Sequence, residues 1–225
     1  MIYEHDLNAR LSISNDLAKD FKEISIPFGE LGEILKSNLN YSFFIYKDNY
    51  RKESNTKLKL SNCIALDFDD GLTIDEAKQI FIDYSYCLAT TKSHQKEKHS
   101  KICDRFRLIL PLEENINLNT KDFKFLLKKM ILDLKADNAC SDISRFFYAY
   151  EKSEVYFNCG KLFDLEDAFI KAKKQEQIRN EIKAQKDKRS PTIIFEGKKI
   201  ETLMSISKTP YMLKVLKFSE KFFSG

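Results

Sequence analysis

The sequence predicts an α+β fold with a mixed sheet and a C-terminal helical tail, and four observations point to its core. The run CIALDF, residues 63–68, is apolar up to its aspartate and reads as a buried strand. After the turn DDGL, the segment TIDEAKQIF opens with Thr73 and Glu76 at capping-box spacing. Two more apolar strands follow, YSYCLATT and DRFRLILPL, the second stopped by Pro111. Then TKDFKFLLKKMILDL places Phe123, Leu126, Met130 and Leu134 on one helical stripe.

The first sixty residues mix helix-like and strand-like signals: a polar-apolar segment around Asp16 to Phe21, a helix candidate from Glu30 to Lys36, and the aromatic strand YSFFIY. They belong to the core. Ala77, Ile80, Phe81 and Tyr84 continue the capped segment at helical spacing, and YSYCLATT is expected to lie beside CIALDF. Its end delivers the polar loop TKSHQKEKHSK. SRFFYAY and EVYFN are two further strands, after which FDLEDAF leads into a Lys/Gln/Glu-rich helix ending near Ser190. The expected organisation is a main domain at 1–168, a basic charged helix or linker at 169–190, and a short helical segment at 191–225 that begins a further domain of a longer protein.

A chain of 225 residues is long enough for one core and an appendage. No apolar run approaches the ~18 residues of a membrane span, and MIYEHDLNAR lacks the apolar centre of a signal peptide, so a cytoplasmic protein with no membrane partner is expected. Five cysteines without a CxxC pair speak for reduced thiols rather than a disulfide framework. The net charge of +4 excludes a histone-like binder, but it is unevenly placed. Residues 92–107 carry six Lys/Arg and residues 171–190 carry eight, and both stretches suit phosphates.

Asp67 and Asp69 alternate along a strand and so point to one side. Converging carboxylates need cations, and hard Mg²⁺ or Mn²⁺ prefers such oxygens together with substrate phosphates. Asp70 reads as a turn residue, and an acidic DDG turn can also simply cap the next helix. Asp137 and Asp142 in DNACSDISRFF are the candidates for a third acid, each of them equally readable as a cap. Ser93, His94, Arg105 and Arg107 are placed near the same rim, where a guanidinium fork suits a triphosphate. Removing a metal carboxylate is expected to leave the fold intact.

Taken together, LDFD, the TKSH loop with DRFRLILPL behind it, and DNACSDISRFF resemble the motifs of the archaeo-eukaryotic primases, over about residues 40–160. The resemblance implies a primase-polymerase core of RRM-like type from a mobile-element replication protein. On it, Asp67, Asp69 and Asp137 hold two Mg²⁺ or Mn²⁺ ions, Asp142 supports or caps, and Ser93, His94, Arg105, Arg107 and Arg145 bind the nucleotide. The implied partners are a single-stranded DNA template, (d)NTPs, and a fused or associated helicase. TKSH departs from the family's small-x-His pattern, and Arg107 takes the place usual for that His. Some members carry zinc, for which His94, His99, Cys103 and Cys140 or Cys159 are possible ligands at unorthodox spacing.

Two other readings compete. DFDDGLT superficially resembles the nucleophile motif of haloacid-dehalogenase-like phosphatases, although Asp70 spoils its spacing. A non-catalytic module binding single-stranded DNA would use the same basic stretches, with Phe and Tyr rings stacking on bases.

Overall fold

The computed structural model describes residues 7–98 and 100–188. Its chain divides into two units, Met1–Phe169 and Ile170–Gly225. The first unit is α+β. It begins with a hairpin of β1 (Asn8–Ser14) and β2 (Lys22–Pro27), a short helix α1 (Leu31–Leu35) and the strand β3 (Asn40–Ser42). β4 (Cys63–Phe68), α2 (Ile74–Ile80), β5 (Tyr86–Thr90) and β6 (Phe106–Pro111) follow. The 15-residue α3 (Thr120–Leu134), the two-residue β7 (Phe147–Tyr148) and β8 (Val155–Asn158) complete it. The helix α4 (Leu165–Lys188) starts at the end of this unit, and the described part of the second unit is the rest of that helix. The expected helical segment at 191–225 lies outside the described residues, as does His99.

Where one mixed sheet was expected, the strands form two antiparallel sheets, ordered β2-β1-β3-β7 and β4-β6-β5-β8. Parallel pairing occurs among the described residues in the isolated bridges Tyr84–Lys161 and Leu112–Phe163. β5 does not lie beside β4. The crossover through α2 leaves a one-strand gap, and β6 fills it, making a split β-α-β unit. This insertion sets Arg107 directly across from Asp67 in the β4–β6 register.

Capping fixes the helices that frame the site. The Thr73 hydroxyl accepts from the Glu76 N–H, the Glu76 carboxylate takes the Thr73 N–H, and the capping box read from the sequence is present. Asn119 caps α3 through the Asp122 N–H. On α3 the predicted stripe is buried, with Phe123, Leu126 and Leu134 fully covered.

The core gathers Ala9 and Leu11 from β1, Leu31 and Leu35 from α1, and Tyr41 and Phe147 from the first sheet against Cys63, Cys87, Ala89 and Ile109 of the second. Ile64, Leu66 and Phe68 are buried too and, by alternation, face the other way. Phe68 stacks on Phe106 with centroids 4.8 Å apart. Asp67 therefore points into the layer shared with the first sheet.

Gly71 follows the acidic turn, and a β-carbon there would stand 2.4 Å from the carbonyl oxygen of Lys135, the residue that ends α3 at φ 56°. The oxygen belongs to the backbone and the β-carbon is bonded directly to it, so neither can turn aside and the two segments would have to separate. Gly71→Ala should cost about 1–3 kcal/mol in a urea unfolding measurement. Wild-type stability would mean that this close approach does not hold the ends of β4 and α3 together.

Candidate active site

Asp67 and Arg107 form the innermost part of the site. Nε of Arg107 donates to one Asp67 oxygen at 2.7 Å and Nη2 to the other at 3.2 Å, a bidentate pair whose side chains are 9% and 10% exposed. Nη1 donates to the Tyr41 hydroxyl, and the guanidinium carbon lies 3.9 Å from the centre of the Phe147 ring. Burial works against the Arg107 charge, but Asp67 and the Tyr41 phenol outweigh it and hold the proton above the usual guanidinium range. Burial pushes the Tyr41 phenol up to about 12, with Arg107 pulling the other way.

The segment after α3 is tied to the same strand. The Asp137 N–H donates to the Asp67 carbonyl at 2.8 Å, and the Asp67 N–H donates to the Cys140 sulfur at 3.1 Å. Burial first, then Asp67, pushes the Cys140 thiol up to about 12. Nη2 of Arg145 stands 3.3 Å from an oxygen of Asp67 and 3.3 Å from an oxygen of Asp137, bridging the two acids. Asp142 is exposed and accepts from the Ser144 N–H and hydroxyl, so it caps its own turn and stays out of the cleft. Of the two acids left open by the sequence, Asp137 is the one beside Asp67.

Asp69 pairs with Lys98 at 2.7 Å, and the neighbouring Asp70 with Lys101 at 3.1 Å. Both lysines come from the loop between β5 and β6, which winds around one side chain. The Arg105 guanidinium donates through Nη1 to the carbonyls of Ser93 and Lys96, and through Nη2 to those of Lys98 and Lys101. Arg105 is 2% exposed. With those donors committed it does not serve a triphosphate, and the expectation that it shares the nucleotide-binding role of Arg107 is corrected. It stands one residue before β6 and its side chain is spent on the loop. His94 accepts from the Arg105 N–H at Nδ1, 3.2 Å away, and does not line the cleft.

A cleft of about 980 Å³ is lined by Asp67, Asp69, Asp137, Ser93, Arg107 and Arg145, which are six of the eight residues singled out by sequence. Lys92, Lys96 and Lys98 add positive charge to its wall, and Phe146, Tyr148 and Tyr150 an aromatic side. Three carboxylates on one cleft are the right donors for a hard cation. Each already faces a cation of the chain, and among the described residues no three His, Cys, Asp or Glu side chains form a metal-holding group. Asp69 and Asp137 are 45% and 32% exposed, so their cationic partners can be exchanged for an ion. Of the possible zinc ligands, Cys103 donates to the Asp69 carbonyl and Cys140 accepts from Asp67, each serving the backbone of the acidic turn. Tyr41 and Lys98 escaped the sequence reading. YSFFIY looked like core alone, and nothing in a run of lysines marks the one that reaches an acid.

No family model matches this chain, and no curated protein does. Three solved structures are similar to it. The AEP domain of the cyanophage S-2L primase-polymerase matches with a TM-score of 0.39 at 14% identity, over 76% of this chain and 88% of that one. Primase RepB′ matches at 0.40 and 9%, over 80% and 62%, and the catalytic domain of RepB′ in complex with initiator DNA at 0.39 and 8%, over 77% and 89%. Likenesses of that size transfer no residue roles, and the chemistry of the cleft rests on its own side chains.

Lys98→Ala should strengthen Mn²⁺ binding about 2- to 5-fold in calorimetric titration, because it frees the Asp69 carboxylate from an exposed ion pair worth up to ~1 kcal/mol. Affinity equal to that of the wild type would remove Asp69 from any cation site.

Proposed function

We propose that this chain is a primase-polymerase-type nucleotidyltransferase that joins (d)NTPs to a 3′-hydroxyl on a single-stranded DNA template. The observation that carries this reading is the cleft in which Asp67, Asp69 and Asp137 stand among Arg107, Arg145 and three lysines. Acids suited to divalent ions and cations suited to phosphates meet there, in the motif order that resembles the archaeo-eukaryotic primases. Two Mg²⁺ or Mn²⁺ ions held by Asp67, Asp69 and Asp137 would, when bound, activate the attacking hydroxyl and clamp the triphosphate.

The chain's own residues divide the remaining work. Arg107 spends its nitrogens on Asp67 and Tyr41, so it orients and charge-balances Asp67 rather than gripping phosphate. Arg145, 30% exposed at the boundary of both acids, is the guanidinium free to turn toward a triphosphate. Ser93 and Lys92 offer a hydroxyl and an ammonium to the same cleft. Lys98 guards Asp69 and yields it on exchange.

The non-catalytic DNA-binding reading keeps one specific support, the cationic partner already present on each acid. The phosphatase reading has less, since Asp70 breaks the spacing of its nucleophile motif.

The test is extension of a labelled primer-template, beside unprimed synthesis on single-stranded DNA, with Mg²⁺ or Mn²⁺. Asp69→Ala should abolish product and leave stability within about 1 kcal/mol of wild type, its ion pair being exposed. Asp67→Ala should also destabilise the protein by about 3–5 kcal/mol, because it strands the buried Arg107 charge. The general expectation that an acid can be removed harmlessly therefore fits Asp69 and not Asp67. Undiminished synthesis by Asp69→Ala would sink the catalytic assignment. DNA binding without synthesis by the wild type would favour the binding module.

A further inference from the structure

β7 is the outer strand of its sheet, paired with β3 alone among the described strands. It has two residues of opposite fate. Phe147 is 4% exposed and packs on the Arg107 guanidinium, whereas Tyr148 is 66% exposed. A large ring standing that far into solvent on a strand edge is not needed by the core. Its neighbour Phe146 lies 5.1 Å away, edge to face, and is held from behind by Phe21 at 6.1 Å and by the Arg51 guanidinium, 4.5 Å from the ring centre. Arg51 is itself fixed, donating to the carbonyls of Leu17 and Ser144. The result is a braced aromatic corner on the cleft that also holds the three acids.

We propose that Phe146 and Tyr148 form a stacking shelf for an unpaired base of a single-stranded nucleic acid strand, with Tyr148 supplying the free ring. This rests on the nucleotidyltransferase reading for the strand's role as template, but the shelf is a binding site in its own right. Charge complementarity selects the occupant. Arg51 beside the shelf and Lys92, Lys96 and Arg145 in the same cleft suit a phosphate backbone running past the rings. Stacking needs an accessible π-face, which single strands present and a duplex has already buried. A protein segment would gain little from so many lysines and arginines around two rings.

The test is fluorescence anisotropy of the full chain with a labelled single-stranded oligonucleotide and with an abasic strand of the same length. Tyr148→Ala should weaken binding to the oligonucleotide about 5- to 150-fold, the range for one lost base stack. Tyr148→Phe should bind like the wild type, and on the abasic strand the wild type and Tyr148→Ala should bind alike. The salt dependence should stay the same in Tyr148→Ala, since no phosphate contact is removed. Binding by Tyr148→Ala within twofold of wild type, an equal loss on the abasic strand, or no binding of single strands by the wild type would each overturn the shelf. Failure of the enzymatic reading shows separately, as undiminished primer extension by Asp69→Ala. Loss of base-dependent binding in Tyr148→Ala would then still uphold the shelf.

Discussion

The Asp67–Arg107 pair is the interaction on which the rest of the structure depends. It places two opposite charges where water hardly reaches, at a position fixed by the β4–β6 register and closed by Tyr41 and Phe147 from the other sheet. Desolvating the two charges is costly, and only good geometry with further hydrogen bonds offsets it. The bidentate contact supplies that geometry, and the Tyr41 hydroxyl takes the remaining Nη1 donor. Because each sheet contributes part of this arrangement, the sheets cannot slide past one another without uncovering a charge. The pair thus specifies how the two halves of the core meet, and the cleft is built outward from it.

Arg105 and Arg107 show how one strand start divides similar residues between unlike tasks. Alternation suggested a common role, but the Arg105 guanidinium is spent on the loop between β5 and β6, whereas Arg107 is spent on Asp67. Arg105 instead gathers four carbonyls of the loop between β5 and β6, adding a charged donor to three that already accept backbone N–H groups, those of Ser93, Lys98 and Lys101. A charged donor at the centre of a polar loop gives it a fixed shape without a hydrophobic core. That shape is what brings Lys98 and Lys101 to the two acids of the turn.

Much of this was legible in the sequence where the signal is local. The capping box at Thr73, the apolar stripe of α3 and the strand ending in LDFD each depend on residues a few positions apart. The β1–β2 hairpin was not legible, since Ser12 and Ser14 are buried while Ile13 is only partly covered, which reverses the usual alternation. YSFFIY misled in the other direction. The strand ends at Ser42, yet Phe43 to Tyr46 remain buried and imitate its continuation. That Asp137 rather than Asp142 lies beside Asp67 could not be read from spacing alone, because it depends on a backbone hydrogen bond between residues seventy positions apart, from Asp137 to Asp67. The same holds for β6 entering between β4 and β5, which depends on pairing across the whole sheet.

The cations around the acids are graded in exposure, and the gradation has a chemical meaning. Arg107 is 9% exposed, Arg145 30% and Lys98 41%. An ion pair near water is worth little and can be exchanged at little cost, whereas a buried one is lost only with the structure around it. Arg107 is therefore a permanent part of the fold, and Lys98 is a place-holder. A cluster of carboxylates balanced in this way does not strain the protein, because the chain itself supplies the positive charge that faces each of them. Binding at such a site is an exchange of cations rather than the neutralisation of bare charge. On the proposed reading, such an exchange would begin with Lys98 at the solvated side of the cleft and leave the inner Asp67–Arg107 pair in place.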